Sequence, residues 1–365
     1  MPAIYDAPFG QFYGSYGFAG YNNYANSIQR AEAMSVPAIA QCRNLIAGTV
    51  SSIPLEMFDV ATGAESQDAP PWVRQPDKRA PRSVTMAWTV DSLLMYGVAY
   101  WKVTEVYQED NRPSRFEWVQ NDRVSTKLNN YSTEVDYYMI NGERVPDSGV
   151  GSLVTFQHLD QGLLLRGART IKQAVNLENA ASIAAETPMP SGYLKSSGAD
   201  LPPEQVAGLL AQWKQSRLSR STAFLTQSLS YQPTQFSPAE MMYNDAIQNM
   251  ALQICRLCNV DASYLSAQTM RSDTYSNILD KRKEFVAHTL QPYITAIESR
   301  LSLDDITSRG KVVKFAVDET FLRANPVDRL AVTEKMLNLK LITLDQAKAM
   351  EDLTPEGNIF DETND

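Results

Sequence analysis

The sequence predicts an α+β fold, with strand-rich and helix-rich stretches in different parts of the chain. Three observations carry this. Between 98 and 159, short alternating runs such as "VAYWKVTEVYQ" and "SLVTFQHL" are separated by turn signals. From 168 onward, alanine-rich and 3.6-periodic apolar stripes take over. Hydrophobic residues make up 44% of 365 positions and charged ones 21%, enough for a sizeable core and too few charges for a disordered chain.

Residues 4–27 come before any periodic element. They hold eight aromatics and four glycines in no regular order. The stretch reads as a flexible arm, or as one that orders against a partner, since Tyr and Phe supply contact area at low entropic cost. A helix follows, with Ser35 expected as its cap and Pro37 in its first turn. Val36, Ile39, Arg43, Ile46, Val50 and Ile53 trace one stripe, and Pro54 ends it. "LEMFDVATGAE" reads as a strand and turn. Pro70, Pro71, Pro76 and Pro81 mark an extended connection. Residues 83–96 read as a second helix ending near Gly97. "VAYWKVTEVYQ", "RFEWVQNDRVSTKL", "TEVDYYMI" and "SLVTFQHL" then read as short strands, with turns at "NNYS" and "NGERVPDSG".

The next part is helical. Residues 168–187 contain six alanines, which favour helix and permit close helix–helix approach, and Pro188 and Pro190 stop the run. "SGYLKSSGA" is a short loop or strand. Residues 201–218 form a helix with Pro202 and Pro203 in its first turn and Val206, Leu209, Leu210 and Trp213 on one face. Residues 221–236 read as a strand pair. Ser237, Pro238 and Glu240 form a capping box for a helix striped by Met242, Ala246, Met250, Ile254 and Leu257. A polar loop follows, then a long helix over about 274–301 in which Pro292 predicts a kink. "KVVKFAVD" is a strand. Residues 326–353 form a helix–turn–helix with Thr343 as N-cap. The last fifteen residues hold six acids and no base, which reads as a solvated tail.

The charge balance excludes some functions. With 33 Lys and Arg against 42 Asp and Glu, the net charge is −9, so the surface as a whole repels phosphate and any DNA contact is local. Three cysteines make no disulfide framework and fit a reducing compartment. No apolar run is long enough for a membrane span, and no secretory signal is expected.

Catalytic signatures are missing from the sequence. His158 and His288 lie on different elements, and His158 reads as structural. Cys255 and Cys258 fall inside a helix with no second ligand pair, so they read as two small buried residues rather than a zinc site. There is no phosphate-binding glycine loop, no nucleophile elbow and no calcium loop. No catalytic residue, metal or cofactor is expected. Basic residues concentrate in two places: Lys214, Arg217 and Arg220 at the end of the 201–218 helix, and Arg271, Lys281, Arg282 and Lys283 around the polar loop. Each group reads either as a solvated cationic face or as a phosphate contact.

The order of elements is specific. "LLMYGVAYWKV", "LVTFQHL", "GLLLRGA", "PMPSGYLKSSGADLPPEQVAGLLAQWK", "ICRLCNVDASYL" and "YSNILDKRKEFVAHTLQPYITAIESRL" follow one another in a pattern that resembles the portal proteins of tailed bacteriophages, in the HK97-like branch. The resemblance covers roughly 30–355. It implies a ring-forming α+β portal fold. In that fold, 1–27 is an arm, 28–167 with 302–324 the wing, 168–187 and 237–258 the paired stem helices and 188–236 the clip. Residues 259–273 are the tunnel loop, 274–301 the kinked tunnel helix, 325–355 the crown and 356–365 the acidic tail.

The resemblance further implies a dodecamer at one capsid vertex, with double-stranded DNA passing through it. Terminase and later the head–tail adaptor would dock on the clip, with the major capsid protein and scaffold as further neighbours and no membrane. The particle would be assembled in the host cytoplasm and carried in the virion. Gln268, Thr269, Met270 and Arg271 become candidates to face DNA. Lys214, Arg217 and Arg220 become candidates for the channel or docking rim. Ala174, Ala181, Ala184 and Met250 become candidates for subunit packing in the stem. A DNA-binding adaptor, or an assembly nuclease or protease with an unrecognised site, are the competing readings.

Overall fold

The computed structural model describes residues 28–66, 68–128, 135–186, 192–196, 202–218, 229–233, 243–265, 281–317, 326–344 and 347–348. The expected arm at 1–27, the turn "NNYS", the capping box at 237–240 and the acidic tail lie outside them.

Helix α1 is Arg30–Ser35 and α2 is Pro37–Ser52. Ser35, the expected cap of the first long helix, does not cap it. Val36, extended, is the N-cap of α2, while Ser35 closes α1 by donating its hydroxyl to the Glu32 carbonyl at 2.7 Å. Pro37 at the first helical position explains why the break falls where it does: it cannot donate to α1 but suits the start of α2. Strand β1, Leu55–Asp59, pairs antiparallel with β10, Lys311–Phe315, near the other end of the chain. The proline connection is not wholly extended, because Pro71 opens a one-turn helix, α3 (Pro71–Arg74), that buries Trp72 and Val73. Helix α4, Arg82–Tyr96, ends on Gly97 in the left-handed conformation (φ 75°), as a glycine after the last apolar turn should.

Strands β2 (Val98–Val106), β3 (Pro113–Val119) and β7 (Leu153–Gln157) form an antiparallel sheet with β2 in the middle. The run "RFEWVQNDRVSTKL" is not one strand. It is broken at a 3₁₀ turn, Asn121–Arg123, where buried Asn121 donates its side-chain amide to Val98 O at 2.8 Å. After the turn, β4 (Val124–Leu128) joins a second sheet with β5 (Val135–Ile140) and the two-residue β6 (Glu143–Arg144). Asn141 and Gly142, at φ 50° and 85°, make the tight β5–β6 turn.

Helix α2 packs on α4, and α4 covers β2. Trp101 at the centre of β2 is fully buried between Phe116 and Phe156, ring centroids 5.2 and 4.8 Å away. Its indole N–H donates to Thr89 Oγ1 at 2.8 Å, and that hydroxyl in turn donates to Thr85 O. The same core holds Ile39, Ile46 and Val50 from the predicted stripe. Arg43 departs from it, turning to Asp91 on α4.

Helix α5 (Leu163–Arg166) leads into α6 (Ala168–Glu186), which packs against α8 (Tyr243–Cys258). Between them lie β8 (Gly192–Ser196), α7 (Pro203–Leu218) and β9 (Leu229–Pro233). β9 pairs antiparallel with β8 across α7, and the rest of the strand pair expected within 221–236 lies outside the described residues. Helix α9 (Gln291–Leu301) packs on β7 and β10, and α10 (Pro326–Asn338) follows. Downstream, Ala347 donates its N–H to Thr343 O, consistent with a helix starting at Thr343.

Candidate functional site

Helix α8 has a one-sided apolar stripe, with Ile254, Cys255 and Cys258 buried and Met250 half-buried. Its C-terminus closes without glycine. Asn259 takes the left-handed conformation (φ 53°), Val260 N–H reaches Cys255 O at 2.9 Å, and Asn259 N–H points at Arg256 O at 3.4 Å. This paired pattern satisfies carbonyls that a helix end leaves free, and buried Val260 supplies the apolar contact that accompanies it. Arg166 completes the end by donating to Leu257 O while pairing with Asp160.

Of the long helix expected over 274–301, the described part is irregular just before Pro292. Residues 281–284 are helical, and Phe285–Leu290 is a π-helical stretch that runs directly into α9. Pro292 has no N–H to give the carbonyl one turn back, at His288. That carbonyl instead accepts from the Asn259 side-chain amide at 2.5 Å. Thr289, buried, donates its hydroxyl to Asn259 O. The C-terminal end of α8 is therefore joined to the π-helical stretch inside the next helical run.

A cleft of about 310 Å³ opens beside this junction, walled by Arg256, Asp261, Tyr264, Lys281, Glu284 and His288 among others. Asp261 accepts from Ser263 N–H at 2.7 Å, and its hydrogen bonds to Ser263, with Lys281 adding a smaller share, hold its carboxyl below the usual range. Tyr264 packs on Phe285 with centroids 5.0 Å apart, and burial raises its phenol. Gln41 on α2 donates to Tyr264 O at 2.9 Å. The first residues of the polar segment are thus fastened to both α2 and the π-helical stretch.

The expected DNA-facing residues Gln268, Thr269, Met270 and Arg271 lie outside the described residues. At the far root, Lys281 is half-buried while Arg282 and Lys283 are exposed. Lys214 is exposed on α7. Arg217 lies on the same helix, and Arg220 lies outside the described residues. Of the stem positions, Ala174 is 2% exposed, and its methyl is already used inside the chain. Ala181 is half-exposed, Met250 packs against the core, and Ala184 lies on α6.

Nothing described here assembles into a nucleophile–base pair. His158 is stacked on Tyr293 (4.6 Å, 23°) and accepts from Asp160 N–H at 3.3 Å. Burial, helped by Arg166, pulls its pKa down to about 4, so it stays neutral. Cys42, Cys255 and Cys258 are all buried thiols. Cys42 is pushed up by its neighbour Cys258 and by burial, and Cys255 is pushed up to about 11, chiefly by burial. Cys42 and Cys255 are therefore inert packing groups rather than thiolates. Among the described residues, no group of three His, Cys, Asp or Glu could hold a metal ion. The junction at Asn259 was missed in the sequence, although Pro292 announces a carbonyl in want of a donor.

The family model for phage portal proteins matches residues 37–352. The chain belongs to the phage portal protein family. Among solved structures, this portal-family chain is similar to an HK97-family phage portal protein from Corynebacterium diphtheriae. The identity is 23% and the TM-score 0.64, over 83% of this chain and 97% of that one. It is also similar to a chain from the neck of an empty GTA particle computed with sixfold symmetry, at 17% identity and TM-score 0.59, covering 89% and 92%. A chain from the neck of a native GTA particle computed with twelvefold symmetry gives 19% identity and TM-score 0.54, again covering 89% and 92%. No curated protein matches the chain.

Proposed function

We propose that the chain is the subunit of a ring, a dodecamer, that sits at one capsid vertex and forms the channel through which DNA is packaged and ejected. The observation that carries this is the likeness, over 83–89% of the chain, to a phage portal protein and to particle-neck chains computed with ring symmetry, within a family match that spans nearly all of the described fold. The role is structural. Helices α6 and α8 form the stem, β8–α7–β9 belongs to the clip that takes terminase and then the head–tail adaptor, and residues 259–273 form the tunnel loop.

Charge supports the reading. Twelve copies at −9 each carry a formal −108, so a channel lined mostly by such a chain lets DNA slide rather than stick. The loop centred on Gln268, Thr269, Met270 and Arg271 narrows the channel and touches DNA without holding it. Lys214, Arg217 and Arg220 give the clip a local cationic rim. Half-exposed Ala181 is the position on α6 where a neighbouring stem helix approaches closely. Native mass measurement of the purified assembly tests this. A ring of about twelve copies supports the portal, while a stable monomer or dimer at working concentration refutes it and returns the adaptor reading.

A further inference from the structure

We propose that Asn259 is a positioning residue that locks the C-terminal end of α8 to the π-helical turn before α9, so that α8 and the helical run 281–301 are held as one unit. Four observations combine. Asn259 sits at φ 53°, a conformation that Asn, Asp and Gly tolerate and most side chains do not. Its carboxamide donates to His288 O at 2.5 Å. That carbonyl lies four residues before Pro292, which has no N–H to give it. Its own carbonyl accepts from Thr289 Oγ1, and Thr289 is only 4% exposed.

The contacts run in both directions between adjacent residues. The backbone of Asn259 is fixed by the α8 terminus, its amide reaches one residue of the π-helical stretch, and its carbonyl is held by the next. Irregular helical turns of this kind are strained alternatives to the α register and persist only where outside groups support them. Gln291 N–H already reaches back to Val286 O, five residues away, which is the π spacing. Asn259 supplies the outside support. These contacts exist within one chain, whether or not it forms a channel.

The test is a pair of substitutions in the full-length protein, read by native-state hydrogen exchange. Asn259→Gly keeps the left-handed backbone and removes the amide donor. It should speed exchange of the amides in 281–291 by about fivefold to tenfold, the range expected for one lost hydrogen bond. Asn259→Asp keeps shape and backbone preference but has no N–H, and should be at least as disruptive. Pro292→Ala supplies a backbone N–H one turn from His288 O. In that background, Asn259→Gly should change exchange by less than about twofold, because the carbonyl no longer depends on the side chain. A residue serving only as a helix cap would leave Asn259→Gly silent in both backgrounds. Unchanged exchange in the wild-type background, or equal acceleration with and without Pro292, overturns the proposal. Should Pro292→Ala fail to fold, Thr289→Val offers a second probe. It removes the other half of the lock and should speed exchange of the same amides, and no effect would overturn the proposal.

Discussion

Removing the Asp91 carboxylate should destabilise the fold by about 3 kcal/mol. Asp91 lies on α4 at 6% exposure and binds two arginines at once. Arg30 of α1 approaches with Nε at 3.1 Å from one oxygen and Nη2 at 3.2 Å from the other, and Arg43 of α2 places Nε at 2.7 Å. Breaking a buried ion pair by deleting one partner costs about 3–5 kcal/mol, because the remaining charge stays buried and unpaired. Here the arginine side chains are 39% and 22% exposed, so water relieves part of the penalty and the low end of the range applies. Asp91→Ala should therefore lower the unfolding free energy by about 3 kcal/mol in urea, with an unchanged denaturant slope. Replacing all three charges together, as Arg30→Met, Arg43→Met and Asp91→Leu, should recover most of that loss, since no stranded charge remains. A loss below about 1 kcal/mol for Asp91→Ala, or a triple variant weaker than the single one, would show that the three groups do not act as a buried unit.

Three further outcomes follow. His158 titrates near 4 when folded against an ordinary 6.5, so the unfolded chain takes up its proton first as the pH falls. Stability should drop between about pH 6.5 and 4, by up to about 3 kcal/mol from this group, and His158→Phe should flatten that part of the profile in parallel urea titrations. Gly162→Ala should cost about 3–5 kcal/mol, because φ is +83° and a Cβ would sit 2.5 Å from Gly97 N and 2.6 Å from Met95 O. Gly63→Ala, with φ +69° but open space around it, should cost only the backbone strain, and equal losses in denaturation would refute the steric account. Deleting 267–272 should leave ring assembly intact by native mass measurement while impairing packaging, and loss of the ring would make the segment a packing element instead.

Much of the architecture was legible because burial follows period. The stripe through Ile39, Ile46 and Val50, the glycine stop at Gly97, the alanine-rich α6 and the buried pair Cys255 and Cys258 are all local patterns, and each holds. Ser35 was misjudged because a proline two residues on moved the helix start past it. The break at Asn121 was missed because its reason is a hydrogen bond to Val98, 23 residues away. For the candidate site, Pro292 marked the irregular helix, but nothing local points to Asn259, which is 29 residues from the carbonyl that it serves. The stretch from β8 to β9 was harder still, since β9 pairs with β8 across a whole helix.

The polar groups that escaped the sequence reading share a physical task. Apolar burial is non-directional and grows with area, so a stripe of Ile and Val decides which face turns inward but tolerates sliding and rotation. A hydrogen bond fails over a fraction of an ångström, so a half-buried acceptor or donor selects one arrangement among those that the core would accept. Asp91 does this for α1, α2 and α4. Glu298 does it for α9 and β10: burial raises its carboxyl, and it accepts Phe315 N–H at 2.7 Å. Asn259, itself exposed but backed by buried Thr289, does the same for α8 and the turn before α9. In each case the group joins an element to one far away in sequence, where the chain connection alone cannot fix the register. In the proposed ring such fixing would matter all the more, because each angular error between a subunit's helices would be repeated at every interface around the circle, and closure would leave no room to absorb the sum.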